Sequence, residues 1–428
     1  MSLQHHSSRS LWRDRSFVFF WVGRAISLLG TAITSVVLPI LVYRLTTSAL
    51  LTSLLATVEV LPYLLFGLFA GEVADRVDRR RLMVGCDLLN TFLLGSIPMA
   101  GWFHVLTVPH IFAVALLSAS AFVWFDAADF GAIPTLVGRD HLVAATSAIA
   151  SMSSVVGIGG LALGGVLIAT IGAASALGFD AMSYLLSAIA LLLIPRALSP
   201  VQIKEQLTHP PVHRPLVGIR EGMGFLWHHR LVRVLTLLSF GLSFTGGAVS
   251  GLLVVYAVQA LHLSTNDARI GLLFTAGAAG SFVAGLLLPQ LTKHSPVGWI
   301  TLVAMSLNLV LLLLLAWISA WSVALVLYAC WELSYTLTTT NGRVLRQLVI
   351  PDHLQSRVNA YARMIAWGGA PFGAAVGGLL AQATTIRTTY LILAAGIALS
   401  TLVGWFSPLR EQTKIHDLTG SLAPSETY

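Results

Sequence analysis

The chain has 428 residues, 56% of them hydrophobic and only 10% charged, with a formal charge of +7 and a mean hydropathy of +0.82. Soluble globular domains run at about 25% charged residues. The composition therefore excludes a disordered chain, a disulfide scaffold and a soluble enzyme with a small membrane anchor, and the two cysteines, Cys86 and Cys330, fall in separate apolar stretches.

A membrane-spanning helix needs about 20 mainly apolar residues. In chain order such runs fall at 16–44, 48–71, 81–103, 108–138, 142–170, 173–195, 231–261, 267–292, 296–319, 321–348, 355–384 and 386–408. They predict an all-α membrane protein of twelve spans. The stretch MSLQHHSSRSLWRDRS is basic, but the run behind it far exceeds a signal-peptide core of about 7–15 residues, so the first span is expected to stay in the protein. Lys and Arg concentrate on the cytoplasmic side of membrane proteins. With the N-terminus inside, only Arg44, Arg269 and Arg387 of the 25 Lys and Arg residues lie outside, while Arg24 and Arg363 fall within spans. The positive charge is thus a topology signal, not a nucleic-acid signature, and both termini are expected in the cytoplasm.

The longest break divides the chain into a six-helix bundle over 1–195, a cytoplasmic linker over 196–230, a second six-helix bundle over 231–409 and a cytoplasmic tail over 410–428. The linker opens polar and proline-containing (RALSPVQIKEQLTHPPVHRP). It continues with Leu216, Ile219, Met223, Leu226 and Trp227 at helical spacing, which predicts a short interfacial helix. An N-terminal extension of the seventh span is the alternative. Sliding the chain by 212 residues aligns 141–169 with 353–381 at ten identities in 29 positions, among them Gly157/Gly369, Gly165/Gly377 and Met152/Met364. Two parallel six-span halves are a transporter architecture.

Between the second and third runs stands GEVADRVDRRR (71–81). Gly71 lets helices approach closely, and Asp75 at a helix end suits the positive N-terminus of another helix. Gly71, Asp75, Arg76, Arg79 and Arg80 resemble the loop signature of the major facilitator superfamily, although Asp78 replaces its second glycine. The resemblance implies two pseudo-symmetric bundles of six helices, a latch between Asp75 and the eleventh span, and a pairing of Arg79 with an acid on the fourth, Asp129 or Asp126. On the fifth span GGLALGG (159–165) resembles the antiporter signature of that superfamily through Gly160, Gly164 and Gly165, with Leu161 in place of its proline. ISLLGTAITSVVLPILVYRLTTS (26–48), FDAMSYLLSAIALLLIPRAL (179–198) and residues 221–235 and 350–381 look like the macrolide-efflux and enterobactin-exporter branch.

Eight ionisable residues fall within predicted spans: Arg24, Glu59, Asp87, Asp126, Asp129, Asp180, Glu332 and Arg363. Each costs about 2.5–3.5 kcal/mol at a helix centre on insertion scales, so they must face the bundle or one another. Asp87 and Asp180 lie within two turns of a span end, which suggests hydration and a structural role. Glu59 and Glu332 sit near mid-depth, one in each half. A carboxyl group that alternates between a hydrated cavity and a closed interior can take up a proton in one state and release it in the other. Glu59 or Glu332 is therefore the expected coupling group, with Asp126 in reserve and Arg24 and Arg363 as possible counter-charges; fixed ion pairs are the alternative use.

The histidines form no HExxH, and there is no GxxxxGK[ST] phosphate loop, so neither a metal, a cofactor nor an ATPase is indicated. The reading is a monomeric, proton-driven transporter of the inner or plasma membrane that expels an amphipathic small molecule, drug-, macrolide- or siderophore-like. Its partners are that molecule, protons and the lipid bilayer. Aromatics with cavity potential are Trp21, Trp124, Phe125, Tyr256, Trp331, Tyr335 and Trp367. A lipid or lysolipid flippase on the same scaffold is the nearest rival, and a membrane-embedded enzyme a remote one.

Overall fold

The computed structural model describes residues 11–138, 140–195, 198, 223–350 and 352–411. Among them the long helices are α1 (Arg15–Thr46), α2 (Ala49–Arg76), α3 (Arg79–Trp102), α4 (Val108–Val137), α5 (Leu142–Ile171) and α6 (Ala173–Leu192). There follow α7 (Arg230–Gly251), its short continuation α8 (Leu253–Gln259), α9 (Arg269–His294), α10 (Val297–Trp317), α11 (Trp321–Val349), α12 (Asp352–Ala383) and α13 (Ile386–Trp405). Each predicted span has its helix. The seventh is made of two pieces, stepped at Leu252, whose N–H still bonds back to Ala248 O at 3.0 Å. In hydrocarbon every backbone group must be satisfied within its own helix, and that is what the continuous α pattern provides. Among the described residues eleven helices are long and apolar enough to cross a membrane. The other long one, α11, carries Glu332, Arg343 and Arg346.

Local chemistry sets the helix ends. Asp78 is the N-cap of α3, its side chain accepting from Arg81 N at 3.0 Å. An N-cap acid is a different device from a glycine turn, and it accounts for Asp78 in the 71–81 loop. Gly138 and Gly172 stop α4 and α5 at φ of 74° and 84°, in the left-handed region where glycine carries no Cβ penalty. Pro62 lies inside α2 and frees the carbonyl of Val58, one residue before Glu59.

Two compact units result, one of Met1–Leu41 with Glu59–His209, the other of Val42–Val58 with Pro210–Tyr428. The first unit packs α5 on α1 through glycines. A Cβ at Gly160 would lie 2.6 Å from that of Ala32, and one at Gly164 would lie 3.3 Å from the Ile33 backbone. The second unit packs α12 on α7 in the same manner, with Gly373 against Phe244 O and Gly377 2.8 Å from Ala248 Cβ. Small residues let helix backbones approach closely where hydrophobic burial gives no drive between helices. The second unit also holds the α1–α2 turn: the Gln382 side-chain carbonyl accepts from Ser48 Oγ and Ala49 N, both at 3.1 Å, and Thr57 Oγ1 donates to Pro371 O.

Only the last stretch of the linker falls within the described residues. Leu216 and Ile219 lie outside the described residues, but Met223–His228 is helical and Leu226 is buried among Val232, Ile350, Val358 and Ala362. Through Leu226 this end of the linker packs on the second unit, while Trp227 stays exposed. His229 then caps α7, accepting from Val232 N at 3.4 Å.

Candidate functional site

A cavity of about 240 Å³ opens inside the first unit, walled by α1, α2, α4 and α6. Glu59 and Asp180 supply its carboxyl groups, and Tyr63, Phe122 and Tyr184 its rings. Thr31, Thr34, Ser35 and Ser118 add hydroxyls. Sequence depth suggested a hydrated Asp180 near a span end; in the fold it is 1% exposed. It accepts from Thr34 Oγ1 and, at 3.0 Å, from Ser183 Oγ. Gly30 makes this possible, because the Asp180 carboxyl and the Ser183 hydroxyl occupy the space a Cβ on α1 would take. Asp87 is likewise fully buried rather than hydrated; its carboxyl lies beside the Ser187 hydroxyl, yet neither oxygen completes a hydrogen bond. Glu59 faces the cavity, and among the described residues none donates a hydrogen bond to it or pairs with it.

An ionic chain leads away from the cavity. Tyr63 contributes its ring to the wall while its hydroxyl donates to Asp126 Oδ2 at 2.8 Å. Arg24 reaches Asp126 at 3.8 Å and Asp129 at 3.3 Å, with its guanidinium 5.1 Å from the centre of the Phe125 ring. Arg24 is thus committed to the acids of α4, not to Glu59. The expected Arg79–Asp129 pair does not form, because Arg24 already holds Asp129. Arg79 instead folds over Gly131, donating to its carbonyl at 2.6 Å and to Asp75 Oδ1 at 2.8 Å. A Cβ on Gly131 would sit 2.6 Å from the Arg79 guanidinium carbon.

The rest of the 71–81 loop is laid out as follows. Asp75 is exposed, Arg76 pairs with Glu72 at 2.5 Å on the surface, and Arg80 donates to the Leu192 carbonyl at the end of α6. Gly71 has open space where a Cβ would project, so close helix approach does not explain it. Gly165 is buried in α5 with Gly160 and Gly164.

In the second unit Glu332 accepts from Tyr328 Oη at 3.1 Å and Ser281 Oγ at 3.3 Å. Arg363 is exposed. The proposed cavity aromatics are elsewhere: Trp331 is buried and stacked between Tyr328 and Tyr335, while Tyr256 stacks on Tyr390 and donates to Leu315 O at 3.0 Å. Trp21 donates to Ala148 O, Trp124 packs on Phe66, and Phe125 lies under Arg24. Burial of so large an apolar surface favours packing over lining. The Trp367 side chain lies outside the described residues. Sequence reasoning missed Tyr63 and Tyr184, although a signal existed: Glu59/Tyr63 and Asp180/Tyr184 are each four residues apart, hence on one helix face.

Residues 6–425 match the family model described as transmembrane secretion effector. Among curated proteins, the chain is 26% identical over 392 residues to the multidrug efflux pump Tap of Mycolicibacterium fortuitum, covering 89% of this chain and 93% of that one. It is 24% identical over 421 residues to the enterobactin exporter EntS of Salmonella typhimurium, covering 94% and 95%. Among solved structures, the nucleoside transporter NupG superposes with a TM-score of 0.75 at 12% identity, over 91% of this chain and 98% of that one. A bacterial homologue of the iron transporter ferroportin does so at 0.71 and 16% identity, over 93% and 99%. At such identities these structures speak for the fold alone.

Proposed function

The chain belongs to the transmembrane secretion effector family of major facilitator transporters, and from that premise we propose that it expels small amphipathic molecules across the inner membrane by proton-coupled alternating access. It is a multi-pass transporter and not an enzyme; the coupling, the cargo and a monomeric unit with both termini in the cytoplasm are our reading. The observation that carries it is Glu59, an intramembrane carboxyl group opening on a cavity with no partner among the described residues. A charge-capable group left in that setting is a functional position by default. A proton on Glu59 in one conformation and none in the other ties proton flow to the switch between them. Glu332, held by two hydroxyls, is the less mobile of the two candidate glutamates. Asp75 at the head of the basic loop serves as the conformational latch, and the cavity forms part of the transport path.

Purified protein in proteoliposomes, with an imposed pH gradient and a panel of amphipathic drugs, tests this reading. Gradient-driven accumulation that an uncoupler abolishes is the expected result. Accumulation indifferent to the pH gradient would remove the proton, and movement of fluorescent lipids alone would point to a flippase.

A further inference from the structure

We infer that the end of α11 read as cytoplasmic is an oxyanion site, in which Arg343 and Arg346 of the second unit bind the phosphate group of an anionic lipid or of a soluble compound. Unanswered charge is the first ground. Arg346 is 5% exposed, and among the described residues its Nε and Nη1 donate to nothing. Arg343, three residues earlier, is exposed and has neither a hydrogen bond nor an ion pair among them. Residues three apart are neighbours on a helix surface, and the two charges repel each other. Of this unit's acids with described side chains, Asp267 is held by Arg269. The other, Glu332, is held by Tyr328 and Ser281, about 16 Å along the axis from Arg343. The topology signal does not explain the pair, because a positive-inside arginine belongs in water and Arg346 is out of it. A charge taken out of water needs a partner.

The repeat supplies the second ground. Sliding by 212 residues sets Gly131 of the first unit opposite Arg343, and Pro134 opposite Arg346. At Gly131 the guanidinium of Arg79 is answered by the carbonyl at 2.6 Å and by Asp75 at 2.8 Å. The second unit brings two guanidiniums to the same place in the plan, and among the described residues neither finds an oxygen. Room is the third ground. Helical side chains lean toward the N-terminus of their helix, so Arg346 lies over the turn that holds Gly342. A Cβ on Gly342 would meet nothing within 4 Å. Both arginines stand within two turns of Val349, where α11 ends, which is the level of lipid headgroups. A guanidinium is a planar fork of donors matched to the oxygens of a phosphate, and it keeps its charge at any working pH.

The test is thermal unfolding of the delipidated full chain in detergent, with no gradient and no cargo, so it stands apart from the transport reading. One arm compares dioleoylphosphatidylglycerol with dioleoylphosphatidylcholine, the other inorganic phosphate with chloride at equal ionic strength. Near saturation the anionic ligand should raise the melting temperature by about 2 °C or more over its control. A rise with phosphatidylglycerol alone identifies a lipid headgroup as the occupant, a rise with phosphate alone a soluble compound, and a rise with both a site open to either. Phosphate also strengthens apolar burial in general, so the readout is the part of the rise that Arg343→Gln combined with Arg346→Met removes. No rise in either arm, or an equal rise in the double variant, overturns the inference. Without ligand, Arg346→Met should melt no lower than wild type, because it keeps an apolar stem and discards a buried charge that has no partner. A lower melting temperature or a failure to fold would reveal a fixed partner for Arg346 and overturn the site. Arg343→Gln, an exposed change, should by itself shrink the rise.

Discussion

In the first unit α4 is tied to α1 by charge, with Asp126 and Asp129 on Arg24; in the second, the residues that the 212-residue repeat sets opposite them are Thr338 and Asn341. Asn341 also ties two helices, through its amide, but to a different neighbour: it donates to Val297 O at 2.7 Å and Thr301 Oγ1 at 2.8 Å on α10, the counterpart of α3 and not of α1. One helical plan thus closes with either ions or neutral hydrogen bonds. Charge is costly in hydrocarbon, and the second unit demonstrates that the packing can do without it at these positions. The first unit thus carries acids where the second has neutral residues, which supports assigning the proton to it.

The strongest break in this comparison is Arg24→Ala. Removing one partner of a buried pair leaves the other charge uncompensated and costs about 3–5 kcal/mol, so folded yield and melting temperature should drop sharply. Combining Arg24→Leu with Asp126→Thr and Asp129→Asn gives the first unit the second unit's neutral residues on α4. It should recover folded protein while losing transport, measured by size-exclusion yield and vesicle uptake.

Next in size are the helix-packing glycines, where the two units are alike in design but not in tolerance. Gly373→Ala drives a methyl into the Phe244 carbonyl, whereas Gly160→Ala meets the Ala32 methyl at 2.6 Å and a backbone oxygen, Leu29 O, only at 2.9 Å. Overpacking costs about 1–3 kcal/mol, and the rigid backbone contact should put Gly373→Ala at the upper end in thermal unfolding, with Gly160→Ala below it.

Asp75→Asn should disturb stability least, because its pair with Arg79 is exposed on the Asp75 side and such pairs are worth little. It should nevertheless lose most transport if Asp75 latches a conformation. The corresponding loop of the second unit, GLLLPQLTKHSPVG, has no acid to substitute for it. Wild-type export by Asp75→Asn would leave the loop with a topological role only.

What was legible in the sequence was local. Run length and hydropathy fix the twelve spans because a helix in hydrocarbon is defined by its own residues. The glycines of α5 likewise declare close packing wherever their partner lies. The contacts that required three helices to converge were not legible. Asp180 reads as near a span end by counting along α6, and only Gly30 on α1, with Ser183 and Thr34, makes its place a buried cavity wall. The loop resemblance implies Asp129 or Asp126 as the partner of Arg79, but Gly131 offers it a carbonyl and room, and Arg24 is better placed for both acids. Large aromatics are a poor guide, since Trp331 is buried in a stack of rings and Tyr256 packs on Tyr390 with its hydroxyl on Leu315 O.

The most direct measurement sets Glu59→Gln beside Glu332→Gln in proteoliposomes, following exchange of cargo with no gradient and its accumulation under an imposed pH gradient. The account predicts that Glu59→Gln still equilibrates cargo, more weakly, but no longer accumulates it, whereas Glu332→Gln does both. Full gradient-driven accumulation by Glu59→Gln, or its loss in Glu332→Gln alone, would contradict the assignment of the coupling to the first unit.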